Sequence, residues 1–282
     1  MTTPPRGQRA TGFARSQMIM GLPVSIHLRD VWCSSRPERR VAEAVDAAFD
    51  QMRRFDLIFS PYRDDSTLAA VRAGRILIDR AGPEFAEMLE LAEEAKGLTD
   101  GAFDAHFAGD LDPSGLVKGW AAERAGGFLA GSGFDWYLNA GGDITGNAAA
   151  EPWRIGIEHP ADPSGLITVV GLGSGGLATS GSAHRGAHII DPLTGAPAAG
   201  IGQVTVLGPS LARADVWATA IAARGRPALV SAADPLLPVC VADGYQVFAV
   251  ADNGKVYATD GFAAFQVGDQ PRPNAAPFAA LA

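Results

Sequence analysis

From Trp136 to Gly208 the chain strings strand-like segments together without a regular helix between each pair. "WYLN", "WRIGIE", "LITVVGL" and "QVTVLG" follow one another, punctuated by "NAGGD", "SGG" and "DPLTGAP". Those intervals are rich in residues that turn the backbone. Further on, "YQVFAV" and "KVYAT" meet at Asp252-Asn253-Gly254. An Asn-Gly pair between two strands is a strong hairpin signal. A doubly wound parallel sheet alternates strand and helix; this chain does not. The pattern therefore predicts an α+β fold with mostly antiparallel sheet and flanking helices.

Helices are expected at four places. "ERRVAEAVDAAFDQMRRFDLIF" sets Val41, Val45, Ala48, Phe49, Met52 and Phe55 on one side, the spacing of an amphipathic helix. A second starts near Pro83, turns Phe85, Met88, Leu89 and Ala92 inward, and stops at Gly97. A third begins at Asp112-Pro113-Ser114, with a capping side chain, a proline in the first turn, and Val117, Ala121 and Ala125 on one face. A fourth runs from about Asp215 to Arg224 and ends at Gly225. "LPVSIHLR" before the first helix alternates as a strand, and "SPYRDDS" after it reads as a turn.

Nothing in the composition marks a domain boundary, and no repeat is found. Residues 18–267 are expected to form a single domain between a flexible tail, 1–17, and a disordered tail, 268–282. The net charge of -8 argues against nucleic acid and against a polybasic hold on membranes. No apolar run approaches a membrane helix, so no membrane insertion is expected. The N-terminal stretch lacks the apolar centre of a signal peptide, and Cys33, after charged residues, does not read as a lipid anchor. The cytoplasm is the expected compartment. Cys33 and Cys240 read as buried or free thiols, since no metal spacing flanks them.

Five stretches could carry chemistry. Lys118 of "LDPSGLVKGWAAERA" falls near the positive end of its helix. It either points into water or has something strongly negative nearby, and a phosphate is a natural guest of a helix N-terminus. "LNAGGDITG" is a strand running into two glycines and an acid, either a tight turn or a place where backbone approaches a ligand. "TSGSAHRGAHIIDPLTGAP" holds His184 and His188, two of the five histidines. A serine hydrolase would want a GxSxG elbow, which is missing. In "ADVWATA", Asp215 and Thr219 are four apart and so share a helix face. A carboxylate and a hydroxyl are hard oxygen ligands of the kind Mg2+ takes. Tyr62 of "FSPYRDDS" sits in a charged turn, as a stacking platform or a lid over the core.

The order of these stretches carries more than any one of them. "MGLPVSI", "FSPYRDDS", "GAFD", "DPSGLVKGWAAERA", "NAGGDI", "ATSG", "HIIDPLTG" and "ADVWATA" run in sequence from about Met20 to Arg224. In this the chain resembles the ApbE family of FAD:protein FMN transferases. The resemblance implies two interwoven lobes with FAD in the cleft between them. It implies transfer of FMN from FAD to a threonine hydroxyl of an acceptor protein, leaving a phosphoester and AMP. Mg2+, or Mn2+ in its place, would sit on the FAD diphosphate. Some relatives instead hydrolyse FAD to FMN and AMP, and a flavin-binding protein without turnover is the third alternative.

By motif, the resemblance assigns flavin-nucleotide contacts to Met20, Tyr62, Ala102, Phe103, Asp104, Asp112, Lys118 and Ile189. It assigns metal contacts to the Gly115 carbonyl, Asp215 and Thr219, and a proton-transfer or phosphate-contacting role to His188. The chain departs from the pattern after "GAFD", where Ala105-His106 replaces a common Pro-Thr and only a short link leads to Asp112.

Overall fold

The computed structural model describes residues 12–29, 38–107, 109–149, 151–181, 189–268 and 276–277. Among the described residues nine strands form one sheet in the order β1-β2-β3-β4-β7-β8-β9-β10-β11. They are β1 (Gly12–Ile19), β2 (Leu22–Arg29), β3 (Asp135–Ala140), β4 (Asp143–Asn147), β7 (Ser174–Gly181), β8 (Ile201–Gly208), β9 (Gln246–Ala251), β10 (Val256–Ala258) and β11 (Ala276–Pro277). Every pairing in it is antiparallel except β10 with β11. The remaining strands, β5 (Trp153–His159) and β6 (Asp162–Leu172), make a separate antiparallel hairpin between β4 and β7.

Seven helices complete the described chain: α1 (Glu38–Phe59), α2 (Thr67–Arg72), α3 (Pro83–Leu98), α4 (Ser114–Ala130), α5 (Leu211–Arg224), α6 (Arg226–Val230) and α7 (Leu236–Ala242). The larger core lies between the sheet and these helices. Val45, Phe49, Met52 and Phe55 of α1 meet Val117, Ala121 and Ala125 of α4 and Ala214, Trp217 and Ile221 of α5 there. A smaller core on the opposite face gathers Ile144, Ile155, Ile157, Val170, Leu177, Phe248 and Phe262. The helical half of the chain and the strand-rich half thus share one sheet. α4 is the link, packed on α1, on α5 and on β3 and β4.

α4 and α5 lie unusually close. A β-carbon at Gly119 would stand 3.0 Å from Asp215 Cβ and 2.8 Å from the Leu211 carbonyl oxygen, the latter a separation that real side chains essentially never show. α5 is also tied down at its start. Ser210 caps it by accepting from Arg213 N–H, and Glu123 of α4 accepts from both Ser210 Oγ at 2.7 Å and Ala212 N–H at 2.9 Å. Orphan amides at a helix start are thereby satisfied by a carboxylate, which also suits the local dipole.

Four expectations need correction. The N-terminal tail does not reach residue 17, because Gly12–Gln17 pair with β2 and Arg15 meets Asp46 of α1 at 2.5 Å. Residues 276–277 of the expected C-terminal tail pair with Tyr257 and Ala258. The fourth helix starts at Leu211, not near Asp215, because Ser210 supplies the cap. In α4, Pro113 occupies the capping position and precedes the first turn; the Asp112 carboxylate reaches the start by accepting from Ser114 N–H at 3.1 Å. Cys33 lies outside the described residues. Cys240 is a buried free thiol, pushed well above its usual pKa by burial.

Candidate active site

One cavity of about 620 Å3 opens where α1, α4 and α5 meet the turn between β1 and β2. Met20, Tyr62, Ala102, Phe103, Asp104, Asp112, Gly115, Lys118, Ile189, Asp215 and Thr219 all line it. Eleven of the twelve residues singled out from sequence are therefore brought together. The twelfth, His188, lies outside the described residues, as does His184.

The rim is aromatic and exposed. Tyr62 is 90% exposed in a turn that is internally braced. Ser66 Oγ donates to the Ser60 carbonyl at 2.7 Å and caps α2 through Ala69 N–H, while Arg63 grips Asp65 at 2.9 and 2.7 Å. The turn thus holds Tyr62 outward without packing over it. Met20 and Gly21 make the two-residue turn between β1 and β2, with φ of 56° and 68°. Positive φ at both positions matches the right-handed twist of the flanking strands. For Met20 that conformation costs roughly 1–2 kcal/mol. Asp104 sits at the side wall. Burial works to raise its carboxyl, but the Lys96 ammonium at 2.8 Å and the His106 N–H outweigh it and hold it below the usual carboxylate range. Ala102 and Phe103 are placed by Thr99, whose hydroxyl donates to the Ala95 carbonyl and accepts from Phe103 N–H.

The floor is ionic and buried. Asp143, at the start of β4, and Asp215, in the middle of α5, are each 1% exposed. Lys118 Nζ stands 2.6 Å from Asp143 Oδ2 and 3.9 Å from Asp215 Oδ1. The other oxygens are also engaged: Asp143 Oδ1 accepts from Thr179 N–H and Asp215 Oδ2 from Gly119 N–H, both at 3.1 Å. The negative partner that Lys118 needs near a helix start is thus supplied first by the protein. Thr219, one turn after Asp215, sets its hydroxyl 3.4 Å from Ser180 Oγ. Gly115 is closely enclosed: a β-carbon there would stand 3.1 Å from the Phe103 ring and 3.2 Å from Thr219 Cγ2.

Sequence reasoning missed Asp143 and Ser180. Its available signal for Asp143 was the acid that follows the paired glycines of "NAGGD". Those glycines do form a tight turn, φ 63° and 104°, and the turn starts β4 with Asp143 in the sheet.

The ApbE family model matches residues 20–109 and 105–239, most of the chain and all eight motif stretches. This chain belongs to the ApbE family. It is 28% identical over 211 residues to the FAD:protein FMN transferase of Salmonella typhimurium, covering 69% of this chain and 54% of that protein. A protein of the same name from Rhodobacter capsulatus is 32% identical over 162 residues, 53% of this chain and 29% of that one. The chain spans about half the length of the first of these curated relatives or less of the others. Among solved structures, the ApbE protein of Thermotoga maritima superposes with a TM-score of 0.76 at 21% identity, covering 92% of this chain and all of that one. The flavin transferase ApbE of Vibrio cholerae gives 0.75 at 22%, covering 91% and 100%. The fold of this ApbE-family chain is therefore the fold of those proteins. Among its described residues, no helix is long and apolar enough to cross a membrane.

Proposed function

We propose that this chain moves the FMN portion of FAD onto a threonine hydroxyl of an acceptor protein, forming a phosphoester and releasing AMP. One observation carries the reading: a single cavity joins an exposed aromatic rim to a floor lined by the Lys118 ammonium, the Asp215 carboxylate and the Thr219 hydroxyl, with the Asp143 carboxylate against the ammonium behind it. FAD has the matching halves, a flat ring and a charged diphosphate. The names of the curated relatives support the same chemistry.

The donor set at the floor fits Mg2+ or Mn2+. Asp215, Thr219 and the Gly115 carbonyl would hold the ion, all of them oxygen donors on facing helices. Among the described residues no three His, Cys, Asp or Glu side chains form a cage. Mg2+ needs no such cage, because it keeps waters and takes substrate phosphates beside one or two carboxylates. When bound, the ion would supply Lewis acidity to the diphosphate oxygens.

The protein's own groups then have separate tasks. Tyr62 stacks on the isoalloxazine, and Met20, Ala102, Phe103, Asp104, Asp112 and Ile189 bound the flavin nucleotide. Lys118 offsets charge on the diphosphate and on the departing AMP. The acceptor threonine oxygen bonds to the FMN-side phosphorus, the bond from that phosphorus to the bridging oxygen breaks, and AMP leaves with that oxygen. His188 takes the hydroxyl proton.

The test is intact-mass spectrometry of an acceptor domain incubated with the protein, FAD and Mg2+. The reading expects a mass gain of one FMN less one water, on a threonine, with AMP in equal amount. Free FMN with an unmodified acceptor would mean that water is the acceptor. Bound FAD with no product would mean a carrier and not an enzyme.

A further inference from the structure

Ser180 lines the cavity but has no part in the roles assigned so far. It ends a row of small residues on β7. Leu177 of that strand faces the smaller core, and Thr179 sets its hydroxyl 2.9 Å from that of Thr205 on β8. The alternate positions, Gly176, Ala178 and Ser180, face the other way, towards α5. A β-carbon at Gly176 would meet Leu211 Cα at 2.4 Å, Ala178 is buried in the larger core, and Ser180 Oγ stands 3.4 Å from Thr219 Oγ1. Helix and strand keep step along this row. From Leu211 to Thr219 an α-helix advances about 12 Å, and from Gly176 to Ser180 a strand advances about 13 Å. Gly176 and Ala178 are small enough to let α5 lie against the sheet. Of the three, Ser180 alone carries a polar side chain, and it falls where α5 has its own hydroxyl and the cavity begins.

We infer that Ser180 is a positioning residue that accepts the Thr219 hydroxyl hydrogen and so turns a Thr219 lone pair towards a divalent cation. This role rests on the metal reading given above and deepens it. A hydroxyl has one hydrogen and two lone pairs. As a metal ligand it gives a lone pair to the ion, so its hydrogen must point away, to an acceptor. A hydroxyl also rotates about its C–O bond, and without a fixed acceptor its hydrogen can face the ion as readily as leave it. Ser180 is fixed, because β7 is paired with β8, where Ser180 stands opposite Val204. Gly115, whose carbonyl belongs to the proposed metal set, borders the same hydroxyl: a β-carbon on it would stand 3.4 Å from Thr219 Oγ1. At 3.4 Å the two hydroxyl oxygens lie at the long end of hydrogen-bond range. A bound cation would polarise the Thr219 O–H and shorten the contact, since charge-assisted hydrogen bonds are the shorter ones.

The test is a double-mutant cycle on the whole protein, with Mn2+ alone as the probe and free Mn2+ read by electron paramagnetic resonance. Ser180→Ala is expected to weaken Mn2+ binding about tenfold, the size seen when groups that orient metal ligands are removed. Thr219→Val removes the ligand itself and should weaken binding at least as much. The combination should bind like Thr219→Val, because Ser180 acts only through that hydroxyl; such a failure of additivity marks residues that work as one unit. A melt of each variant checks its fold, and Thr219→Ala serves the same comparison if valine is not accepted. A combination weaker than Thr219→Val by the full Ser180→Ala factor would overturn the inference and make Ser180 a contact to the ion in its own right. Parent binding that is absent, or unchanged in Thr219→Val, would overturn the metal reading itself, and the inference with it. Binding that depends on Thr219 but is the same in Ser180→Ala as in the parent would overturn the inference alone.

Discussion

The two ends of the cavity are built in opposite ways. At the floor, Asp143 on a central strand and Asp215 on a packed helix are 1% exposed and stand 2.6 and 3.9 Å from the Lys118 ammonium. At the rim, Tyr62 is 90% exposed on a braced turn and Met20 sits in a strained one. Charge stabilisation works best where water is excluded and donors are already in place. Stacking tolerates exposure, because the ligand itself covers the ring. The floor's charged side chains are thus set in place by the fold, while the rim is completed by the ligand. Folding stability and ligand affinity should consequently respond to different residues.

The largest expected effect is on the floor's contribution to folding. Lys118→Met leaves a buried carboxylate without its ammonium, which should destabilise the protein by about 3–5 kcal/mol. A thermal melt checks this, and adding Asp143→Asn should recover much of the loss. By contrast, the exposed Arg39–Glu43 pair on α1, 86% and 60% exposed, should contribute about 0.3–0.5 kcal/mol. A lysine at a helix start with no partner but water would have shown the reverse, a protein level or slightly steadier without its charge. Asp143 at 2.6 Å is the reason for the difference.

Next comes turnover. Asp215→Asn keeps the side chain's shape against Gly119 and should reduce product formation about a hundredfold or more, as when a group supporting transition-state charge is lost. The assay is AMP release by chromatography, beside a melt showing that the protein stays folded. Full activity in this variant, or in excess EDTA, would remove Asp215 from the metal set.

The α4–α5 approach can be broken directly. Gly119→Ala puts a methyl 2.8 Å from the Leu211 carbonyl oxygen and should destabilise by about 1–3 kcal/mol, the usual range for overpacking. Because the helices must part to admit it, turnover should fall more than FAD binding does. The smallest effect belongs to the rim. Tyr62→Ala should weaken FAD roughly tenfold, since stacking of a flat base on an aromatic ring is worth about 1–3 kcal/mol. Its melting temperature should not move, because the side chain covers nothing in the free protein.

What the sequence disclosed follows the same division. α1 was legible from end to end, because its apolar positions repeat at helical spacing and face one core. The antiparallel order and the β9–β10 hairpin were legible from turn residues. β7 was not: "SGGLATSG" has three glycines and one large apolar residue, so no apolar–polar alternation marks it. The reason lies outside the strand, since a β-carbon at Gly176 would meet Leu211 Cα of α5 at 2.4 Å. β1 was hidden by its polar, half-exposed alternation at the sheet edge. In the site, Asp215 and Thr219 could be paired by helical spacing alone. Asp143 could not be paired with Lys118, because one belongs to β4 and the other to α4 and no local period joins them. The family motifs located the cavity's lining; the charge balance within it needed the fold.

The central claim is that one ligand spans both ends, its ring at the rim and its diphosphate at the floor. Stopped-flow quenching of flavin fluorescence, which reads binding before turnover, compares FAD with riboflavin in Mg2+ buffer as salt is raised. The account expects FAD to bind much more tightly than riboflavin, with the gap narrowing at high salt because screening weakens the floor's attraction. Riboflavin affinity should be indifferent to salt and lost in Tyr62→Ala. Equal affinities for the two ligands at low salt would mean that the diphosphate does not reach the floor, and would contradict the account.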